Sequence, residues 1–286
     1  MQFPNYFADA DANFDEADFV IFGIPYDKTS SFRKGSIKAP DDIRKASWNF
    51  ETYNLRTDVD IKDLKVHDYG NLDVTKDNPS IMIKKVRGFT SKILEKNKFP
   101  IAIGGEHSVT SGIIQAYPKD IAVLILDAHM DFRNIYENEK YNHACVTKRI
   151  SDHVSIKNIV VLGARSAEKE EYIDAKNQNL FYIDSFYIKK NGIKKAINEI
   201  ESILKNKKIY LTLDIDAIDP SYAPGTGTPE PFGITPFDVI EIIDSFYSNL
   251  IGFDVVEVCP NYDNGEASII AAKIIRNVIE KSSLVI

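Results

Sequence analysis

The sequence predicts a parallel α/β fold, a sheet of buried strands covered by helices on both faces. Three observations predict it. Short, nearly unbroken apolar runs recur along the chain, as expected of strands buried on both sides. Each is separated from the next by a stretch in which apolar residues return at helical spacing, so strands and helices alternate. Polar clusters fall just past the carboxyl ends of the runs, where open sheets of this class place their chemistry.

Taken in order, residues 18–24 form the first strand, stopped by Pro25. A turn-rich, basic loop follows, and Pro40 opens a short helix whose Asp41 and Asp42 suit the positive end of the helix dipole. Residues 65–72 read as a second, more polar strand. A helix spans 79–98, with Ser80 available near its cap and Ile81, Ile83, Val86, Phe89, Ile93 and Leu94 at helical spacing. The next strand, 99–103, is closed by Gly104 and Gly105, and 107–117 is helical. The strand 121–126 and a long loop lead to a helix over 142–151. Strands at 158–162 and 180–183 alternate with helices at 167–175 and 193–205. The last strands are 208–214 and 252–258, and amphipathic helices cover 235–247 and 266–280.

The 286 residues can bury one large core, and no linker or repeat divides them, so one domain over residues 1–286 is expected. The start of the chain lacks the basic and apolar regions of a secretion signal, and no apolar run reaches the roughly eighteen residues of a membrane span. Cys145 and Cys259, far apart, fit reduced thiols in a cytoplasmic protein. A net charge of -7 argues against nucleic-acid binding and suits a cationic ligand.

The chemistry collects at three strand ends. IAVLILDAHMD, residues 121–131, delivers Asp127, His129 and Asp131 at alternating positions, which an extended backbone would point the same way. Such groups repel and are costly to desolvate unless a cation neutralises them. GGEHS places His107 after two glycines that allow a sharp turn. DIDAID adds Asp214 and Asp216. Either Asp-X-Asp pair alone is commonly a turn, and a lone histidine is commonly structural; the coincidence at one sheet edge carries the weight. The excess of carboxylate over imidazole, with no thiolate, points to a harder ion than zinc, and two bridged Mn2+ ions fit best. His67 and His153 have no such company.

GGEHS, DAHMD and LDIDAIDPSYAPGTGTPEP resemble the three signature segments of the ureohydrolase family, which contains arginases, agmatinases and their relatives. IPYDKTSSFRKGSIKAPDDIR and DVVEVCPNYDNGEASIIAA are similar to its amino-terminal loop and carboxy-terminal strand and helix, so the resemblance covers nearly the whole chain. It implies a three-layer αβα fold with a central, mostly parallel eight-stranded sheet, two Mn2+ per subunit, and a homo-oligomer, trimeric or hexameric. By that resemblance His107, Asp127, Asp131 and Asp214 hold one manganese. Asp127, His129, Asp214 and Asp216 hold the other. His143, in YNHACV, is the histidine near the mouth that shuttles protons or contacts substrate, and Glu257 is the carboxylate that holds the guanidinium.

The activity so implied is hydrolysis of agmatine to putrescine and urea. Two metals hold hydroxide, Glu257 orients the guanidinium, Asp131 passes a proton to the departing nitrogen, and His143 exchanges protons with solvent. The loop between Asp131 and His143 is aromatic and acidic, with Tyr136, Glu137, Glu139 and Tyr141, which suits a cationic tail; Tyr136 and Glu137 are its expected substrate contacts. Aminopropylagmatine would use the same loop. Arg133 and Asn134 would instead serve a carboxylate, as in guanidinobutyrate or formiminoglutamate, and arginine is a further alternative. Phe232 stands where the family has a glycine. A silent polyamine-binding regulator is disfavoured by retention of every ligand and Glu257, and a two-metal phosphoesterase by the lack of phosphate contacts.

Overall fold

The computed structural model describes residues 4–204 and 206–286. β1 (Phe19–Ile24) leads to α1 (Ala39–Ser47), which carries Pro40 in its first turn with Asp41 and Asp42. A small antiparallel hairpin, β2 (Tyr53–Asn54) and β3 (Val59–Asp60), precedes β4 (Val66–Asn71). Then come α2 (Pro79–Glu95), β5 (Phe99–Gly104), α3 (Val109–Ile114) and β6 (Ala122–Leu126). The second half runs α4 (Val146–Ser151), β7 (Ile159–Ala164), α5 (Lys169–Asn177), β8 (Phe181–Asp184), α6 (Ser185–Asn191) and α7 (Ile193–Leu204). It closes with β9 (Ile209–Asp214), α8 (Pro236–Phe246), β10 (Leu250–Val256) and α9 (Glu266–Ser282).

Eight strands form one parallel sheet in the order β4-β1-β5-β10-β9-β6-β7-β8. Parallel strands need crossovers, and the helices that supply them cover both faces. Side chains alternate across each strand, so the sheet feeds two cores. Ile21, Ile101, Leu124, Leu211 and Phe253 pack with helices α1, α7, α8 and α9. Val20, Phe22, Ala102, Val123, Ile125 and Tyr210 pack with α2, α3, α4 and α5. Among the described residues no helix is long and apolar enough to cross a membrane.

Three details differ from the sequence reading. The cap of α2 is Asn78, whose side chain accepts from the Ile81 N–H at 2.9 Å, and Ser80 lies inside the first turn. Pro79 at the first helical position leaves Asn78 free to cap. The hairpin β2–β3 and helix α6 were not anticipated; α6 is a short element set by its Asp184 cap and ended by Gly192 at φ +85°. The expected end of the helix over 193–205, Lys205, lies outside the described residues.

Candidate active site

Four neighbouring strands, β5, β10, β9 and β6, end nearly level. Val255 is paired with Ile103, Val256 with Asp214, and Leu126 with Leu213. His107 follows β5, Glu257 follows β10, Asp214 ends β9, and Asp127 follows β6, so the four groups meet at the centre of one sheet edge.

The backbone does not stay extended there, contrary to the sequence expectation. β6 ends at Leu126, and Asp131 sits in the left-handed region at φ +47°. What aims the carboxylates is a turn used twice. Asp127 Oδ1 accepts from the His129 N–H at 2.6 Å, and Asp214 Oδ1 accepts from the Asp216 N–H at 2.9 Å. In each case a short acidic side chain bonds to the backbone two residues on. One oxygen is spent on the turn and the other is presented inward.

The glycines of GGEHS also act differently from the expectation. Neither adopts a positive φ. A Cβ on Gly105 would lie 2.0 Å from the Tyr26 carbonyl oxygen, and one on Gly104 would lie 2.6 Å from Val256 Cγ1. They are required for close approach: Glu106 N–H donates to Tyr26 O at 2.7 Å and Glu257 N–H to Gly105 O at 2.8 Å.

His107 Nδ1 lies 3.0 Å from Asp127 Oδ2, 3.3 Å from Asp214 Oδ2 and 3.5 Å from Asp131 Oδ2. His129 Nδ1 lies 3.1 Å from Asp216 Oδ2 and 3.6 Å from Asp127 Oδ1. Two groups able to hold a metal ion result, His107–Asp127–Asp214 and Asp127–His129–Asp216, and Asp127 belongs to both. His107 Nδ1 and Asp127 Oδ2 are buried with no hydrogen-bond partner among the described residues. Orphaned polar atoms of this kind are costly, and a cation between them removes the cost.

The electrostatics agree. Burial pushes Asp131 up to about 7, reinforced by the Asp127 charge. Burial, with Asp216 and Asp127, lifts Asp214 well above the usual carboxylate range. Burial opposes the charged form of His107, but its contacts with Asp127, Asp131 and Asp214 outweigh it and hold the imidazole well above its ordinary value. His129 is likewise raised against burial by Asp216 and Asp127. The cluster is short of positive charge.

Above it opens a cavity of about 220 Å3 lined by Asp131, His143, Tyr136, Arg133, Thr228 and Glu257 among others. Glu257 is held at φ +62°, and its Oε1 accepts from the His107 N–H at 2.6 Å. Burial, with Glu106 nearby, pushes its carboxyl well above the usual range, although the His107 contact relieves part of this. Burial pushes His143 down to about 4, with help from His129, His107 and Arg133. Tyr136 meets the His143 ring edge to face at 6.1 Å. Glu137 is not brought to the site. It and Asn138 occupy the two positive-φ positions of a tight turn closed by Tyr136 and Glu139, so its side chain is exposed and does not line the cavity.

Among the described residues that line the cavity, the only arginine or lysine, Arg133, is already paired with carboxylates. Arg133 Nε is 3.3 Å from Glu171 and 3.6 Å from Glu168, and its guanidinium lies over the Tyr136 ring. Asn134 Oδ1 accepts from Arg149 at 2.9 Å. Phe232 is exposed at φ +68°, lies against Phe186, and does not line the cavity.

Sequence reasoning missed several supporting groups. Glu106 is fully buried and accepts from Thr29 N–H and O–H, both at 2.6 Å, and from Ser108 O–H at 2.5 Å. Thr29 Oγ1 in turn accepts from the His143 N–H at 3.0 Å. Arg165 donates to the carbonyls of Asp216, Glu230, Pro231, Gly163 and Ala217 at 2.7–3.3 Å and so ties down the loop carrying Asp216 and Thr228. Glu106 stood in a quoted motif without a role; nothing local in the sequence marks Thr29 or Arg165.

Residues 17–280 match the family model described as Arginase family. The chain belongs to the arginase family. An agmatinase from Bacillus anthracis is 34% identical to this arginase-family chain, covering 93% of this chain and 92% of the relative. The N(1)-aminopropylagmatine ureohydrolase of Thermococcus kodakarensis is 34% identical, covering 91% and 89%. The crystal structure of agmatine ureohydrolase of Thermoplasma volcanium superposes with a TM-score of 0.94 at 41% identity, covering 99% of this chain and 96% of that one. This arginase-family protein is a ureohydrolase, an enzyme acting on carbon–nitrogen bonds.

Proposed function

We propose that this ureohydrolase hydrolyses agmatine to putrescine and urea, with two Mn2+ held by His107, Asp127, Asp131, Asp214, His129 and Asp216. The observation that carries the reading is the pair of ligand groups joined through Asp127 beneath a cavity that also presents Glu257. The donor set fits the ions. With both imidazoles neutral, the four aspartates carry a charge of -4, which two divalent cations cancel. Oxygen-rich ligation without thiolate suits a hard ion such as manganese. The names of the relatives from Bacillus anthracis and Thermoplasma volcanium support agmatine as substrate.

When bound, the ions supply the chemistry of acidifying water near neutral pH. The protein's own side chains do the rest. Glu257 accepts paired hydrogen bonds from the planar guanidinium and fixes its carbon over the ligand cluster. The cation is the counter-charge that the buried carboxylate otherwise lacks. Asp131, which also faces His107, is placed to accept the nucleophile's proton and deliver it to the departing nitrogen. His143, at the mouth between Thr29 and Ser31, exchanges protons with solvent. Tyr136 forms one wall beside the tail of the substrate. We expect the working form to be a homo-oligomer, a trimer or hexamer.

Commitment of Arg133 and Asn134 to protein partners disfavours a substrate carboxylate and favours an amine tail. One observation supports a second reading, aminopropylagmatine: a neighbouring groove of about 600 Å3 shares Arg133, Tyr136 and Glu171 with the cavity and is also lined by Glu168, Glu170 and Asp174, which offers room for a longer tail. Urea release with Mn2+ should be measured on agmatine, aminopropylagmatine, arginine and guanidinobutyrate. The highest kcat/KM is expected for agmatine. A preference for arginine or guanidinobutyrate would overturn the assignment of the tail, and no urea from any of them would overturn the reading.

A further inference from the structure

Below the ligand cluster lies a buried carboxylate that the reaction does not use. Asp254, in the middle of β10, is fully buried, and its oxygens accept from three hydroxyls: Thr212 at 2.5 Å, Tyr210 at 2.7 Å and Thr110 at 3.0 Å. Asp254 and Thr212 are register partners on adjacent strands, so the contact is fixed by the sheet itself. A carboxylate only accepts, and each hydroxyl has one hydrogen to give. Thr212, having donated to Asp254, has only lone pairs left, and they face His107 Nε2 at 3.1 Å.

We propose that Asp254, acting through Thr212, is a positioning residue that sets the tautomer of His107, keeping hydrogen on Nε2 and leaving the Nδ1 lone pair for the cation. The inference rests on the metal reading of the site given above. It accounts for the geometry on the other side of the ring. Nδ1 has no hydrogen-bond partner among the described residues, and oxygens of Asp127, Asp214 and Asp131 surround it at 3.0–3.5 Å. A lone pair among carboxylate oxygens is a ligand set once a cation sits between them. Histidine ligands are commonly oriented by the hydrogen bond of their other nitrogen, and its loss costs about ten- to a hundredfold in metal affinity.

The test is Mn2+ titration of chelator-stripped protein by calorimetry, with electron paramagnetic resonance to tell paired from single ions. Thr212→Val removes the acceptor at nearly constant volume, and Thr212→Ser restores it. Asp254→Asn presents an amide that donates to Thr212, turning the hydroxyl toward Nε2 and forcing hydrogen onto Nδ1. The unsubstituted protein and Thr212→Ser are expected to bind two ions with the same affinity. Thr212→Val and Asp254→Asn are expected to lose about ten- to a hundredfold at one of the two sites and to give the single-ion spectrum at limiting metal. Melting in chelator reports the fold separately, and if Thr212→Val does not fold, Asp254→Asn decides. Affinity for Mn2+ indistinguishable from the unsubstituted protein in the decisive variant overturns the proposal. So does a loss in Thr212→Ser as large as in Thr212→Val, since packing would then be the cause. Failure of the unsubstituted protein to bind two ions overturns the metal reading and this proposal together.

Discussion

Replacing Glu257 by glutamine separates substrate positioning from folding. Oε1 of Glu257 is committed to the His107 N–H at 2.6 Å, and among the described residues no hydrogen bond engages Oε2. In Glu257→Gln the amide oxygen keeps the His107 contact, which turns the amide N–H groups toward the position proposed for the guanidinium. Donors then face donors. A hydrogen bond to a charged partner contributes about 1.5–3 kcal/mol, and the bond to the replaced oxygen is lost. At about 1.4 kcal/mol per factor of ten, kcat/KM should fall by about ten- to a hundredfold. Stability should move the other way. Burial, with Glu106 nearby, disfavours the charged form of this carboxylate, so the neutral side chain should leave the melting temperature of the metal-free protein unchanged or raised. Urea release against substrate concentration, with melting curves on the same samples, tests both halves. An unchanged kcat/KM with normal metal content would refute the positioning argument, and lost activity with a collapsed melting temperature would mean that Glu257 holds the fold instead.

Asp127→Asn should bind fewer than two Mn2+ and lose at least about a hundredfold in turnover, because Asp127 belongs to both ligand groups; full metal by elemental analysis with normal turnover would contradict this. Glu106→Gln turns an amide N–H toward either the Thr29 N–H or the two hydroxyls of Thr29 and Ser108, leaving buried donors without an acceptor at a cost of about 1–3 kcal/mol. Its turnover should fall more than KM rises, since Thr29 also receives the His143 N–H; steady-state kinetics and urea unfolding check this, and no change in either would refute it. Gly105→Ala should destabilise by about 1–3 kcal/mol or more, because its Cβ would overlap the Tyr26 carbonyl. An unfolding midpoint equal to that of the parent would show that the loop after β1 yields freely.

How much of this was legible depended on whether a residue's role is local. The strand ending before Asp127 and the clustering of Asp127, His129, Asp214 and Asp216 could be read because hydrophobic runs and ligand types are visible in the chain. The means of convergence could not. Alternation along an extended strand was the simplest geometry for DAHMD, whereas the chain uses side-chain turns at Asp127 and Asp214 and a left-handed Asp131. Glu137 looked like a substrate contact by its sign and its place in the loop, but two successive positive-φ residues put it at the tip of a turn. Asp254, Thr212, Thr29 and Arg165 matter through partners far away in sequence, as with Thr29 and Glu106, separated by 77 positions. A single sequence carries no sign of such pairings.

The strand order carries a consequence for durability. β5, β10, β9 and β6 occupy the four middle places, with β4 and β1 on one flank and β7 and β8 on the other. Fraying begins at the margins of a sheet, where fewer neighbours hold each strand. Here two strands on either side would have to peel away before the groups that share Asp127 lost their spacing. Only the outermost strands, β4 and β8, stand apart from the site, because the loops after β1 and β7 carry Thr29 and Arg165, which hold it.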